Sequence, residues 1–206
     1  MFNIENISKS YGKKLILDDI SLVAEKGDAI GILGVNGSGK STLLSCIAEK
    51  YKDNCVGYVP QENPLFDELK PIDNIRMWCD FTKSQIIDKL NTPPLNQMGI
   101  SSFLDTKVSK MSGGMKKKVS LASVLINEPE ILLMDEPFAA LDLPSKQEIL
   151  YYMGSFLHNG GTLIVASHAE EIFNFCNKVY LLKDGKLINV NELKEKGISY
   201  IDMLRQ

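Results

Sequence analysis

The chain has 206 residues, of which 44% are hydrophobic and 24% are charged, as in an ordinary globular protein. Its 23 basic and 26 acidic residues give a net charge of −3, which argues against a nucleic-acid partner. Four scattered cysteines without a CxxC pair indicate reduced thiols in a cytosolic protein, and no signal peptide or apolar run of about 18 residues is present. We therefore expect a chain that does not itself span a membrane and reaches one only through a partner.

The apolar runs predict an antiparallel edge followed by a buried parallel sheet. Residues 2–28 contain short β-like pieces joined by turns. Continuous apolar runs follow at "AIGIL" (29–33), "ILLMD" (131–135), "LIVAS" (163–167) and "VYLL" (179–182). Runs without polar alternation are typical of strands that are buried on both faces of a largely parallel sheet.

Helical patterns separate several of these strands, and the alternation predicts an α/β fold. The pair Gly160-Gly161 predicts a helix end, and a strand with a short final helix from about residue 199 is expected after Gly185. The predicted helices cover residues 40–50, 115–127, 145–159 and 170–175.

The stretch from residue 61 to residue 110 has a different character. It has no buried-strand run, but it carries helical pieces near residues 72–81 and 83–90 and a break at Pro93-Pro94. We interpret it as a helical lobe that is inserted into the α/β core.

A phosphate-binding loop is predicted between the first buried strand and the first helix. The sequence "GVNGSGKS" fits the pattern G-x-x-x-x-G-K-S/T at Gly34, Gly39, Lys40 and Ser41. The glycines let the backbone turn its N–H groups towards phosphate oxygens. Lys40 would contact the β and γ phosphates, and the Ser41 hydroxyl would bind Mg²⁺.

An acidic pair follows the second buried strand in "ILLMDEP". Asp135 and Glu136 would lie at the carboxyl edge of the sheet, where ligands bind in α/β folds. Asp135 can hold the Mg²⁺ shell, and Glu136 can orient and deprotonate an attacking water. Such a pair alone is most often a strand end with a solvated charge, but together with the phosphate loop it indicates hydrolysis.

A second helix start that faces phosphate is predicted at "MSGG", residues 111–114. Ser112, Gly113 and Gly114 form a small, flexible turn, and an amphipathic run begins at Met115. A helix start preceded by small residues leaves backbone N–H groups free to hold an anion.

These motifs resemble the nucleotide-binding subunit of ABC transporters over nearly the whole chain. "GVNGSGKST" resembles the Walker A loop, "YVPQE" the Q-loop, "MSGG" the signature, "ILLMDEP" the Walker B strand, "ALD" the D-loop and "ASH" the switch histidine region. The resemblance implies a P-loop NTPase core with a mainly parallel sheet, a reduced N-terminal antiparallel β lobe and a short inserted helical lobe. It also implies one domain over residues 1–206, with the helical lobe at about residues 62–112.

The resemblance assigns roles to individual residues. It assigns catalysis to Glu136, His168 and Lys40. It assigns the binding of Mg²⁺ to Ser41, Gln61 and Asp135. The ATP-binding residues are Tyr11, which stacks on adenine, and Gly34, Asn36, Gly37, Ser38, Gly39, Lys40, Ser41 and Thr42 of the loop.

The resemblance also explains the second helix start. In this family two subunits dimerise head to tail, so that Ser112, Gly113 and Gly114 would contact the ATP bound by a second subunit. Asp142 of the D-loop would lie at the dimer interface. In the family, the position after the glycines usually carries a polar residue, whereas Met115 offers no strong hydrogen bond. We therefore expect an ATPase activity that is altered but not abolished.

The expected function is that of an ATP-hydrolysing subunit that powers transport through membrane-spanning partners. Such a subunit would be cytoplasmic and bound to the inner face of the cell membrane through those partners. Two alternatives remain open, a soluble ABC-type ATPase outside transport and an ATP-gated interaction module.

Two groups of side chains have a simple structural interpretation. Trp78, with Met77 and Phe81, is expected in the core of the helical lobe, although an aromatic residue there could also contact a partner helix. Residues 116–118, three consecutive lysines, are expected to form a solvated helix face.

Overall fold

The computed structural model describes residues 1–52, 55–139, 141–168, 174–190 and residue 192. It contains two β-sheets. In the smaller sheet, the strands β1 (Phe2–Tyr11) and β2 (Lys14–Ala24) pair in antiparallel fashion. This hairpin is the antiparallel edge that the sequence predicts.

The larger sheet has six strands in the order β4-β5-β6-β3-β7-β8. All neighbours in it are parallel except β7 and β8, so the sheet is mainly parallel, as predicted. Its strands are β3 (Ala29–Leu33), β4 (Val56–Val59), β5 (Ile131–Asp135), β6 (Thr162–Ala166), β7 (Lys178–Lys183) and β8 (Lys186–Asn189). Every residue of β3, β5 and β6 is buried, in agreement with their continuous apolar sequences.

Helices connect and cover the strands. A helical lobe with two short α-helices and three 3₁₀ turns lies between β4 and α4 in the sequence. The α-helices whose bounds lie within the described residues are α1 (Lys40–Lys50), α2 (Pro71–Arg76), α3 (Lys83–Leu90), α4 (Gly113–Leu125) and α5 (Leu143–His158). The 3₁₀ turns are Leu95–Met98, Ile100–Phe103 and Val108–Lys110.

The strand β5 separates two apolar cores. Its residues Ile131 and Leu133 pack with α1 and the hairpin, whereas Leu132 and Met134 pack with α4, α5 and the helical lobe. Burial of one leucine or isoleucine side chain contributes about 1.5–3 kcal/mol. This double packing fixes the end of β5, and therefore the residues that follow it, from both faces of the sheet.

The boundaries of several elements differ from the predictions. The short strand β4 was not predicted, because its burial alternates and "VGYV" contains no continuous apolar run. The helix predicted at residues 72–81 ends at Arg76, and the backbone N–H groups of Met77 and Trp78 bond to carbonyl oxygens three residues back in a closing turn. The carbonyl oxygen of Trp78 accepts a hydrogen bond from the side-chain amide of Asn127.

Two helices begin two residues earlier than predicted. α4 begins at Gly113 rather than at residue 115, and α5 begins at Leu143 rather than at residue 145. In both cases a polar side chain just before the helix accepts a hydrogen bond from the first turn.

The prediction of an apolar lobe core at Met77 and Trp78 was wrong for these two residues. Their exposed fractions are 54% and 51%, because they follow the end of α2 on its outer side. Phe81 is partly buried against the core, with Nζ of Lys89 4.8 Å from its ring centroid.

The strand expected after Gly185 is present as β8. The predicted final helix, and residues 170–173 of the predicted helix at 170–175, lie outside the described residues. Within the described part of the chain, no helix combines the length and the apolar character needed to cross a bilayer.

Candidate functional site

The loop between β3 and α1 forms a cradle of backbone groups at the carboxyl edge of the sheet. Gly39, the residue before α1, has a φ of +105°, and a Cβ atom there would lie 2.8 Å from the Ile16 side chain. Both the backbone conformation and the close approach require glycine. Among the described residues no side chain caps α1, so the N–H groups of its first turn are available to hold an anion.

The Lys40 ammonium is buried inside this cradle. Its Nζ donates hydrogen bonds to the carbonyl oxygens of Gly34 and Val35, at 2.7 and 3.3 Å, and lies 3.9 Å from Oε1 of Glu136. Burial lowers the pKa of Lys40, although the carboxylates of Glu136 and Asp135 oppose this shift. The loop therefore directs one cation towards the acidic pair.

Asp135 ends β5 and lies beside the same cradle. Its carboxyl group accepts a hydrogen bond from the Ser41 side chain, while its buried Oδ1 atom has no hydrogen-bond partner among the described residues. Burial is the main reason that the pKa of Asp135 is raised. A hydroxyl and a carboxylate, with one buried oxygen unsatisfied, form a donor set that fits Mg²⁺.

Glu136 is held in an unusual backbone conformation directly after the strand. Its φ is +43°, and its backbone N–H donates a 2.9 Å hydrogen bond to the carbonyl oxygen of Ala166 at the end of β6. A non-glycine residue in this region costs about 1–3 kcal/mol, and such residues cluster at functional sites. The conformation turns the Glu136 side chain towards Lys40.

The carboxylate of Glu136 is fixed by the two residues that follow β6. Its Oε1 atom lies 2.8 Å from Nδ1 of His168, and its Oε2 atom accepts a 3.1 Å hydrogen bond from the hydroxyl of Ser167. Sequence analysis named His168 but not Ser167. The signal was present in "ASH", since the residue before the histidine also lies just beyond a buried strand.

The other loop residues and the predicted adenine contact occupy different positions. Tyr11 ends β1 with 60% of its surface exposed, and Nζ of Lys9 lies 5.9 Å from its ring centroid. The buried Oγ atom of Ser38 has no hydrogen-bond partner among the described residues. Asn36 and Gly37 are exposed, and Thr42 is partly buried in α1.

Gln61 is exposed and follows β4, after Pro60. Because Val59 of β4 pairs with Met134 of β5, Gln61 leaves the sheet at the edge where Asp135 lies.

The "MSGG" turn is the start of α4. Ser112 and Gly113 are exposed, and Oγ of Ser112 accepts a 3.2 Å hydrogen bond from the backbone N–H of Met115. Gly114 is buried, and a Cβ atom there would lie 2.2 Å from Oγ of Ser145 in the first turn of α5. Gly114 therefore allows the two helix starts to lie side by side.

Asp142 caps α5. Its Oδ1 atom accepts a 2.9 Å hydrogen bond from the backbone N–H of Ser145, and the hydrogen bonds from Ser145 lower the pKa of Asp142. Residue 140 of the predicted D-loop lies outside the described residues.

The prediction of a solvated face at residues 116–118 was wrong for Lys117. The exposed fraction of Lys117 is 4%, and its Nζ donates a 3.0 Å hydrogen bond to the carbonyl oxygen of Pro60. Lys116 and Lys118 form ion pairs with Asp67 and Glu148. Three consecutive lysines do not show which of them faces inwards, so the burial of Lys117 leaves no signal in the sequence.

Comparisons with known proteins identify the family of the chain. The model of the ABC transporter family matches the chain at residues 17–55 and 50–139. The chain is 30% identical to an uncharacterized ABC transporter ATP-binding protein of Methanocaldococcus jannaschii, over 98% of the chain and 82% of that protein. It is 32% identical to the linearmycin resistance ATP-binding protein of Bacillus subtilis, over 92% of the chain and 68% of that protein. It is also 32% identical to a probable sulfate/thiosulfate import ATP-binding protein of Chlorella vulgaris, over 93% and 91%.

Solved structures show the same fold. The structure of an ATP-binding subunit of an ABC transporter has a TM-score of 0.82 and 21% identity, covering 98% of this chain and 97% of that one. A dimeric structure of a bacterial ABC transporter cassette has a TM-score of 0.77 and 23% identity, covering 91% and 96%. With its phosphate cradle, acidic strand end and family matches, the chain belongs to the ABC transporter family as an ATP-binding member that hydrolyses ATP.

Proposed function

We propose that this chain drives transport with Mg²⁺ and ATP as a head-to-tail dimer beneath membrane-spanning partners, on the cytoplasmic face of the membrane. The observation that carries the hydrolytic part is the position of the Glu136 carboxylate, 3.9 Å from Nζ of Lys40 and 2.8 Å from Nδ1 of His168. A base, a cation and an imidazole thus converge at the phosphate cradle.

In the proposed reaction Glu136 is the general base. The oxygen of a water attacks the γ-phosphorus, the bond from that phosphorus to the bridging oxygen breaks, and the water proton passes to the Glu136 carboxylate. Lys40 offsets the negative charge on the phosphates, and His168 holds the γ-phosphate. Ser167 keeps the second carboxylate oxygen of Glu136 in place through its 3.1 Å hydrogen bond.

The metal site of the proposal consists of Ser41, Asp135 and Gln61. Support comes from the Ser41–Asp135 hydrogen bond and from the unsatisfied buried Oδ1 atom of Asp135. These residues would hold Mg²⁺, which would offset negative charge on the phosphates. Gln61 leaves the sheet at the same edge and would supply an amide oxygen.

The dimer of the proposal is supported by the exposure of Ser112. Its oxygen accepts the Met115 N–H, so its own proton remains available to donate to a phosphate oxygen of another subunit. A cassette of the same fold has been solved as a dimer. The backbone N–H of Met115 donates to the Ser112 cap, and the Met115 side chain packs against the apolar core. The absence of a polar side chain at position 115 therefore leaves this N–H cap intact.

The membrane partner of the proposal would dock on the helical lobe. Phe66, Met77 and Trp78 are each about half exposed on this lobe, with exposed fractions of 51%, 54% and 51%. Aromatic residues and methionine are enriched at protein interfaces. A cytoplasmic helix of a membrane-spanning subunit is the expected occupant.

The head-to-tail arrangement is tested with two variants that damage opposite halves of one composite site. Ser112→Arg should bind ATP as a monomer with the affinity of the parent, because its own phosphate cradle is intact, but it should not hydrolyse ATP. Lys40→Ala should bind ATP poorly. Mixing the variants creates one site with an intact cradle and an intact signature, which should restore turnover above that of either variant alone.

The decisive measurement is equilibrium binding of ATP to isolated monomers. Ser109→Arg is the matched control, because Ser109 is also exposed and precedes Ser112 by three residues. If Ser112→Arg loses ATP binding while Ser109→Arg keeps it, the turn serves the nucleotide of its own subunit and the head-to-tail proposal fails.

The docking surface is tested separately. The double variant Met77→Asp, Trp78→Asp should keep the ATPase rate of the purified parent but should no longer sediment with membranes from its native cells. A double variant that still sediments at the parent level contradicts docking at these residues.

A further inference from the structure

Lys117 is a buried cation, and packing alone does not explain why a lysine occupies this position. It lies in the second turn of α4 with 4% of its surface exposed. Burial lowers the pKa of its ammonium to about 8, although the Asp135 carboxylate opposes the shift. Burial of a charge is costly unless the charge is paired and hydrogen-bonded. The lysine is therefore expected to have a task beyond filling space.

The contact of Lys117 indicates that task. Among the described residues its Nζ has one hydrogen-bond acceptor, the carbonyl oxygen of Pro60 at 3.0 Å. Proline has no backbone N–H, so this carbonyl is the single main-chain group through which Pro60 can be held. Gln61, the proposed Mg²⁺ ligand of the Q-loop, follows directly.

A second lysine holds the same loop further along. Nζ of Lys116 lies 2.8 Å from Oδ1 of Asp67, six residues after Gln61. This pair is partly exposed, with 29% and 62% of the two side chains accessible, so it contributes little energy on its own. It does show that α4 also contacts the chain beyond the Q-loop, while Lys118 turns away to Glu148 of α5.

We propose that Lys117 is a positioning residue for ATP hydrolysis, which fixes the main chain before Gln61 to the helix that begins with the signature. The inference rests on the proposed function, since it assumes that Gln61 and Asp135 bind the metal. Lys117 would act through Pro60 and would not itself contact ATP. Its loss should therefore impair the chemical step more than the binding of ATP.

The test is Lys117→Met, which keeps the length of the side chain and removes its hydrogen bond and charge. We expect kcat to fall by about tenfold, because a small displacement of a catalytic loop has effects of this order or larger. The KM for ATP at saturating Mg²⁺ should stay within about twofold of the parent, because the phosphate cradle is untouched. The midpoint of thermal unfolding should stay close to that of the parent, since removal of a buried charge offsets the loss of one hydrogen bond.

Lys118→Met is the matched control, since Lys118 is the next residue of the same helix and pairs with α5 instead of the Q-loop. Its kcat should stay within about twofold of the parent. The inference is overturned if Lys117→Met has the kcat of the parent, if its KM rises as much as its kcat falls, or if Lys118→Met loses the same activity.

Lys117→Gln keeps a hydrogen-bond donor but removes the charge. This variant is used for the test if the methionine variant does not fold. It should retain at least half of the parent kcat, and a kcat as low as about one tenth would overturn the inference. Asp135→Asn separates this inference from the proposed function. If Asp135→Asn keeps Mg²⁺-dependent turnover, the metal site is wrong, whereas loss of turnover there with full activity of Lys117→Met refutes the inference about Lys117 alone.

Discussion

Nδ1 of His168 lies 2.8 Å from Oε1 of Glu136, although the two residues are 32 positions apart in the sequence. The contact follows from the sheet, because β5 and β6 are parallel neighbours in which Asp135 pairs with Ala166. Residues just beyond the ends of both strands must therefore meet. The imidazole can orient the carboxylate that is proposed to take a proton from water.

Glu136→Gln should lower kcat by about 10²–10⁴-fold, because an amide cannot take the proton of the attacking water. ATP binding should be unchanged, and ATP should trap a stable dimer that light scattering detects. The rate of phosphate release at saturating ATP measures kcat. Glu130→Gln, an exposed glutamate just before β5, is the control and should behave like the parent. Turnover of the glutamine variant at the parent rate would exclude Glu136 as the base.

Lys40→Met should weaken ATP binding by about 1.5–3 kcal/mol for each charged hydrogen bond that Lys40 makes to the phosphates. The methionine keeps the length of the side chain, so the packing inside the cradle changes little. Titration of a fluorescent ATP analogue measures the loss. Lys52→Met, at an exposed lysine beyond the end of α1, should bind like the parent. Equal affinities of the two variants would refute the role of Lys40.

Tyr11→Ala should weaken ATP binding by about 1–3 kcal/mol if the ring stacks on adenine as aromatic side chains stack on bases. Binding of inorganic triphosphate, which has no base, should not change. Tyr151→Ala is the control, since Tyr151 is exposed to a similar degree on α5, at 66% compared with 60% for Tyr11. A Tyr11 variant with the parent affinity for ATP would show that the ring does not stack.

Asp28→Asn should destabilise the fold at neutral pH through the contacts that join β3 to β7. Burial alone would raise the pKa of Asp28, but hydrogen bonds from Lys178, Asn177 and the Glu25 backbone lower it below its usual value of 3.8. The Lys178 and Asn177 contacts are 2.6 and 2.8 Å. Loss of one hydrogen bond to a charged group costs about 1.5–3 kcal/mol.

The pH dependence of this effect has a definite sign. The folded carboxyl has the lower pKa, so the unfolded chain binds more protons between the two pKa values and the parent loses stability as the pH falls through them. The stability difference between parent and variant should therefore be smaller at pH 3 than at pH 7, as measured by urea unfolding. Asp18→Asn is the control, because the Asp18–Lys186 pair is about half exposed. A difference that grows on acidification would contradict the depressed pKa.

The sequence predicted the strands of the core and the phosphate loop because their chemistry leaves few alternatives. A strand that is buried on both faces must be apolar throughout, as β3, β5 and β6 are. A backbone cradle for phosphate needs glycine where φ is positive, as at Gly39. These requirements are local, so they can be seen in a short stretch of sequence.

What the sequence did not predict depends on distant neighbours. Lys117 is buried because Pro60, 57 positions away, lies against its helix. The chain after α2 is held to the rest of the fold by Asn127, 49 positions from Trp78, whose side-chain amide donates a hydrogen bond to the carbonyl of that residue. β4 was missed because it is half-buried at the edge of the sheet and has no apolar run. Such contacts arise from the tertiary fold and leave no pattern in the local sequence.

The close approach of Gly114 to Ser145 also constrains how this sequence can diverge. A side chain at position 114 would overlap the Ser145 hydroxyl, which lies 2.2 Å from where its Cβ atom would be. An alanine could be accommodated there if position 145 first became glycine. Lineages in which position 114 changes alone should be rare, whereas lineages in which both positions change are possible. Substitutions at position 114 of the signature and at position 145 of α5 should therefore be correlated.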